Sequence, residues 1–159
     1  MYNHAPKNYN CPLCLIVSGK DNPEFYAKVS DIFYKDDFIT AFIGGKWWPK
    51  NPGGTIIIPN THIENLYDID EKTGHKIFDF SKKLAISLKK VYKCDGVSTR
   101  QHNEPAGNQD VFHFHLHVMP RWEDDNLYKN HDDKRWATAE ERKPYVKKLK
   151  TYFKNENKN

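Results

Sequence analysis

The sequence predicts an α+β domain: a mainly antiparallel sheet with one long central helix and a C-terminal helix. Three observations predict it. Short runs of β-branched and aromatic residues are separated by turn-forming clusters. Residues 70–92 repeat apolar side chains at intervals of three and four, and a second such repeat near the C-terminus is opened by a capping box. In order along the chain, residues 29–33 and 38–43 are strand-like, and Lys35-Asp36-Asp37 between them reads as a turn, which makes a candidate hairpin. Residues 44–54 hold too many glycines and prolines for a regular element, so they read as a loop into a strand at 55–58 that Pro59 ends. With Asp70 as N-cap, Ile77, Phe80, Leu84, Leu88 and Val91 fall on one face of a helix ending near Tyr92. Residues 96–100 read as a strand, 102–109 as a polar loop, and 111–119 as another strand closed by Pro120. Thr138-Ala139-Glu140-Glu141 has the form of a capping box and opens a basic helix to about Phe153, with Tyr145, Leu149 and Phe153 spaced by four; the last six residues are expected to fray.

A chain of 159 residues with 38% hydrophobic and 14% aromatic side chains can build one core. We read residues 1–159 as a single domain, with a core of about 9–122 and a C-terminal extension of about 123–159. No run approaches the roughly 18 apolar residues of a membrane span, and the opening Met-Tyr-Asn-His-Ala-Pro lacks a signal-peptide pattern. The expectation is a cytoplasmic protein without membrane contact. A net charge of +4 suits a phosphate-bearing ligand but is too small and too interspersed for a nucleic-acid surface. Three cysteines are the wrong count for a disulfide framework: Cys11 and Cys14 form a C-x-x-C pair open to metal or redox chemistry, and Cys94 packs like a small hydrophobe.

The most informative stretch is Phe112-His113-Phe114-His115-Leu116-His117-Val118-Met119-Pro120-Arg121. Strand side chains alternate between faces, so His113, His115 and His117 would share one face at steps of roughly 6.5 to 7 Å, with Phe114, Leu116 and Val118 entering the core behind them. A solvated strand face is the bland reading. Eight histidines spread over the chain do not fall into strict alternation with bulky apolar partners without a demand for imidazole chemistry. A metal site and a nucleophile both stay open at this point.

The stretch closely resembles the histidine-triad (HIT) family, and the resemblance covers most of the chain from Cys11 to Arg121. It is also carried by the early C-x-x-C, Ala41-Phe42-Ile43, Gly53-Gly54-Thr55-Ile56-Ile57-Ile58-Pro59-Asn60-Thr61-His62 and Asn103-Glu104-Pro105-Ala106-Gly107-Asn108-Gln109-Asp110-Val111. The resemblance implies a HIT-like fold of the bacterial-type branch. It also implies a hydrolase or transferase acting at the α-phosphate of a nucleoside phosphate derivative, a phosphoramidate or dinucleoside polyphosphate. His115 would be the nucleophile and carry the nucleotidyl group covalently. A neutral imidazole near its unperturbed pKa of about 6.5 has a free lone pair for this. His117 would donate to a phosphate oxygen, while Asn103, Gln109 and the loop through Asp110 and Val111 would hold the phosphate and leaving group. His115 would need its other ring nitrogen tied to a backbone carbonyl.

In similar members a cysteine pair binds a structural zinc together with two histidines, which match His62 and His113 here. Cys2His2 is a closed tetrahedral set typical of structural zinc. A redox pair competes, but such pairs usually open a helix after a strand, and two ordinary buried cysteines are the remaining reading. The chemistry requires no catalytic metal and leaves room for magnesium as companion of a polyphosphate substrate. The resemblance further implies a homodimer with sheets joined across the two-fold axis.

The sequence departs from the family at Gly54, where many members have a histidine that supports the active site, and at Gly44, where many have an aspartate that binds the ribose hydroxyls. Asp110 replaces a Ser or Thr common in one branch. These departures sustain an alternative: a nucleotide-binding or regulatory protein with little turnover. Trp47 and Trp48 either pack in a core or interface or stack on a nucleobase. Lys147, Lys148 and Lys150 read as a solvated helix face, while Arg121, Tyr128 and Arg142 are electrostatic candidates for a bound polyphosphate.

Overall fold

The computed structural model describes residues 2–156, apart from the side chain of His131. Strand β1 (Ile32–Lys35) and strand β2 (Ile39–Ile43) form the expected antiparallel hairpin. Asp36 builds its turn, with Oδ1 accepting from the backbone N–H groups of Phe38 and Ile39, each at 2.8 Å. Residues 29–31 are not strand but a 3₁₀ turn, because the Asp31 carboxylate accepts from Lys28 N at 2.7 Å and pairs with Arg142 at 3.0 Å.

The hairpin joins β4 (Thr55–Pro59), β5 (Gly96–Gln101) and β6 (Leu116–Arg121) in a five-stranded sheet of order β1-β2-β4-β6-β5, antiparallel throughout. Helix α2 (Glu71–Tyr92) starts where Asp70 accepts from Thr73 N at 3.0 Å. Helix α3 (Ala139–Glu156) is opened by the reciprocal box, Thr138 N to Glu141 Oε2 at 2.8 Å and Glu141 N to Thr138 Oγ1 at 3.2 Å. It runs past the expected end through Glu156; of the six residues expected to fray, 157–159 lie outside the described residues.

Helices α2 and α3 cover one face of the sheet. Ile77, Phe80, Leu84 and Leu88 of α2, with Val146, Leu149 and Phe153 of α3, pack on Phe33, Ala41, Ile43, Ile57, Phe114 and Val118. The short helix α1 (Pro12–Val17) packs Leu13 and Ile16 on Phe42 and Ile58 from the other face. Every residue of β2 is therefore buried. Among the described residues, no helix covers the rest of that second face, over β6 and β5.

Two expectations about the strands are corrected. The strand expected at 111–119 begins only at Leu116, because Phe114 N donates to Ile63 O at 2.6 Å and His113 N to Val111 O at 2.8 Å, which holds the preceding residues in an irregular turn. It also runs through Pro120, which forfeits no bond to β4 because that ladder ends at Thr55↔Val118. The loop 44–54 contains a two-residue strand, β3 (Lys46–Trp47), paired with β7 (Arg135–Trp136) from the C-terminal extension.

Candidate active site and metal centre

Where β6 begins decides what each histidine does. His115 and His117 have ring centroids 5.1 Å apart and both line a cavity of about 240 Å³ on the face left open by the helices. His113 is fully buried, and its ring turns away to meet His62 at 5.1 Å. The segment thus serves two neighbouring places rather than presenting three equivalent imidazoles.

His115 Nδ1 lies 2.8 Å from the His113 carbonyl oxygen. A carbonyl only accepts, so Nδ1 carries the hydrogen and Nε2 keeps the lone pair. Burial lowers the His115 pKa from its ordinary value, opposed by that hydrogen bond and by the nearby Asp110 charge. His117 is pushed well below its ordinary value by burial first and then by its neighbours His115 and Arg100. Both rings are therefore neutral near pH 7.

Cys11, Cys14, His62 and His113 bring their donor atoms within 4.8 Å of one another. Cys14 Sγ stands 3.3 Å from His62 Nδ1 and 3.5 Å from His113 Nδ1, and Cys11 Sγ stands 3.4 Å from His113 Nδ1. Tetrahedral zinc, about 2.3 Å from sulfur and about 2.0 Å from nitrogen, implies S···N edges of roughly 3.5 Å, so these residues fit the ion. The second nitrogen of His113, Nε2, lies 3.0 Å from the Pro59 carbonyl, which fixes Nδ1 as the ligating atom. Burial, with a contribution from Cys11, pushes the Cys14 thiol up to about 12, an environment in which thiolates need a cation.

One side of the cavity is apolar, with Leu13, Phe25, Ala27, Phe42, Ile56 and Val111. The other carries Arg100 and His102, and Asp110 also lines it while pairing with Lys46 at 3.8 Å. Gly44 and Gly54 sit on its wall. Two residues expected to hold substrate do not line it. Gln109 is buried, its Oε1 accepting from Glu104 N at 2.7 Å and its Nε2 donating to Glu64 O at 2.6 Å. Asn103 bonds Leu66 N at 2.8 Å and exchanges amide bonds with Gln101 at 2.9 Å. In this structure these amides bond the loop itself.

The cationic candidates are likewise committed. Arg142 is buried against Asp31, and Arg121 holds Asp125 at 2.7 Å while its guanidinium lies 5.0 Å from the Tyr128 ring. Trp47 donates to Gly44 O at 2.8 Å and packs edge-on to Tyr145, whereas Trp48 lines the cavity. Sequence reasoning missed Arg100, His102, Lys46 and Trp136 as cavity residues. For Arg100 a signal existed in strand alternation, since it lies opposite His117 in the β5–β6 register.

Residues 27–124 match the family described as HIT domain. Protein hit of Bacillus subtilis (strain 168) is 34% identical over 113 residues, 71% of this chain and 72% of that protein. The crystal structure of a zinc-bound histidine triad family protein from Mycobacterium smegmatis matches with a TM-score of 0.73 at 25% identity, over 94% of this chain and 96% of that one. The bis(5'-adenosyl)-triphosphatase of Saccharomyces cerevisiae (strain YJM789) is 27% identical over 111 residues, 67% of this chain and 53% of that enzyme. The family match spans the sheet, α2 and the histidine segment, more than half of the chain, and Protein hit is more than 30% identical over more than two thirds of it: the chain belongs to the HIT family.

Proposed function

We propose that this protein is a nucleotide hydrolase or transferase that acts at the α-phosphate of a nucleoside phosphate derivative through a nucleotidyl group carried on His115. The observation that carries this reading is the 2.8 Å contact between His115 Nδ1 and the His113 carbonyl, which leaves Nε2 as a lone-pair donor on a ring that lines the cavity. Nε2 attacks phosphorus, the bond to the leaving group breaks, and its electron pair departs with that group. A neutral His117 donates its N–H to a phosphate oxygen as charge develops there. Water, or phosphate as acceptor, then displaces the imidazole and restores the free ring. The relationship to a bis(5'-adenosyl)-triphosphatase supports a nucleotide substrate.

Zinc on Cys11, Cys14, His62 and His113 supplies structure, tying α1 to the turn that presents His115. The reading extends to a homodimer joined along β5, which forms a free edge of the sheet. It also extends to the cytoplasm, where the three free cysteines suit a reducing compartment. No helix of the described residues is long and apolar enough to cross a membrane.

The test is intact-protein mass spectrometry of wild type and His115→Ala mixed with nucleoside phosphoramidates and dinucleoside polyphosphates and quenched without acid. Wild type gains a nucleotidyl-sized mass; His115→Ala does not, and its turnover falls at least about a thousandfold. No adduct and no product across the panel, with nucleotide still bound, would replace this reading with that of a nucleotide-binding module.

A further inference from the structure

Arg100 is a charged group of the cavity that the reading above leaves without a role; Lys46, paired with Asp110, and Lys134 also line the cavity. Arg100 lies on β5 directly opposite His117 of β6, and Cβ atoms of such a pair stand about 4.5–5.5 Å apart on the same face. Its Nε is buried with no hydrogen-bond partner, and no carboxylate pairs with it among the described residues. The nearby acids are taken: Asp110 pairs with Lys46, and Asp125 with Arg121 and Asn51. The guanidinium rests 5.2 Å from the ring of Trp48, a contact that holds its plane without satisfying its N–H groups.

Strand order gives this placement a direction. β6, with His117, lies between β4 and β5, and β2 lies beyond β4. The apolar wall (Phe42 on β2, Ile56 on β4, Leu13 on α1) is therefore on one side of the histidines and Arg100 on the other. A nucleoside suits the apolar side, so whatever is bonded to its α-phosphate extends toward Arg100. Arginine supplies a fixed charge and a planar fork of donors but no proton. That matches a leaving group departing as an anion and does not serve an amine, which must be protonated as it leaves.

We propose that Arg100 is a specificity-determining residue that recognises an anionic leaving group, and so biases this site toward a phosphoanhydride, with a further phosphate joined through oxygen to the α-phosphorus, over a phosphoramidate. This rests on His115 being the nucleophile. In the step concerned the Nε2–P bond forms and the P–O anhydride bond breaks. The electron pair goes to the anhydride oxygen, whose phosphate keeps it as negative charge beside the guanidinium.

The experiment compares kcat/KM on diadenosine triphosphate with kcat/KM on adenosine 5'-phosphoramidate for wild type, Arg100→Gln and Arg100→Lys. The ratio of the two falls about 10- to 100-fold in Arg100→Gln and recovers in part in Arg100→Lys. A purely structural arginine would lower both activities together and leave the ratio unchanged, which overturns the proposal. Calorimetry on wild type is independent of whether the variants fold: ADP binds at least about tenfold more tightly than AMP, and equal affinities overturn the proposal. A wild type that forms no adduct and cleaves neither compound overturns the His115 reading and this one with it. Turnover with an unchanged ratio overturns this one alone.

Discussion

His113 and His115 stand two residues apart and use their rings differently. His113 places both nitrogens inside the protein, Nε2 at the Pro59 carbonyl and Nδ1 among the cysteine sulfurs. His115 uses one nitrogen and leaves the other at the cavity. The contrast extends outward. In the cysteine–histidine cluster four donors converge on one another, whereas in the cavity Arg100 Nε lacks an acceptor among the described residues. A buried polar group with all its partners holds a fold together, and one without a partner is unfavourable until a ligand supplies it. Mutations at the first place should therefore be read in stability and mutations at the second in turnover.

The largest effect expected from this difference is at the cluster. Stripping the proposed zinc with a chelator, or replacing Cys14 by Ser, would leave the remaining donors of the cluster without a cation between them and would free α1 from the turn before β6. Thermal melts with parallel zinc determination should show a fall in Tm of more than about 10 °C, equivalent to several kcal/mol. Activity should drop only as far as the folded fraction does. A melt indifferent to metal removal would break the contrast, because the cluster would then contribute no more to stability than the cavity.

Gln109 sharpens the comparison at an intermediate scale. It was expected at the substrate, yet its amide joins Glu104 N, Glu64 O and Val111 O beneath the loop that carries Asp110. Glu104 holds a φ of 60°, a conformation that costs an L-residue energy and that this bond helps fix. Gln109→Ala should destabilise by about 1–3 kcal/mol, lowering Tm by roughly 3–8 °C, with kcat/KM falling as the loop loosens. A loss of kcat/KM at unchanged Tm would return Gln109 to the substrate.

What could be read from sequence follows the range of the signal. The caps at Asp70 and Thr138 and the face of α2 are local patterns, and the structure holds them where the spacing put them. β3 and β7 are two residues each and meet from distant parts of the chain, so no periodicity announces them. The alternating histidines pointed to imidazole chemistry. Their division between two places depends on the start of β6, which is set by Phe114 N reaching Ile63 O in another loop. Arg100 read as the end of a strand, and only the β5–β6 register puts it beside His117.

The smallest effect tests whether the cavity wall is as open as it looks. Gly54 has no positive φ, and a Cβ built there meets only Met119 Cγ at 3.9 Å. Its neighbour Gly53 has φ +75°, and a Cβ there would lie 2.3 Å from Tyr145 Cδ1, so the two adjacent glycines have different reasons to be glycine. Gly54→Ala should restrict the unfolded chain without straining the folded one, raising stability by about 0.4–1 kcal/mol and Tm by about 1–3 °C. Its kcat/KM should change by less than about threefold, since a methyl group on the wall reaches neither His115 nor Arg100. A fall in Tm would mean that the wall at Gly54 is packed against something, and the cavity would then belong with the satisfied side of the molecule.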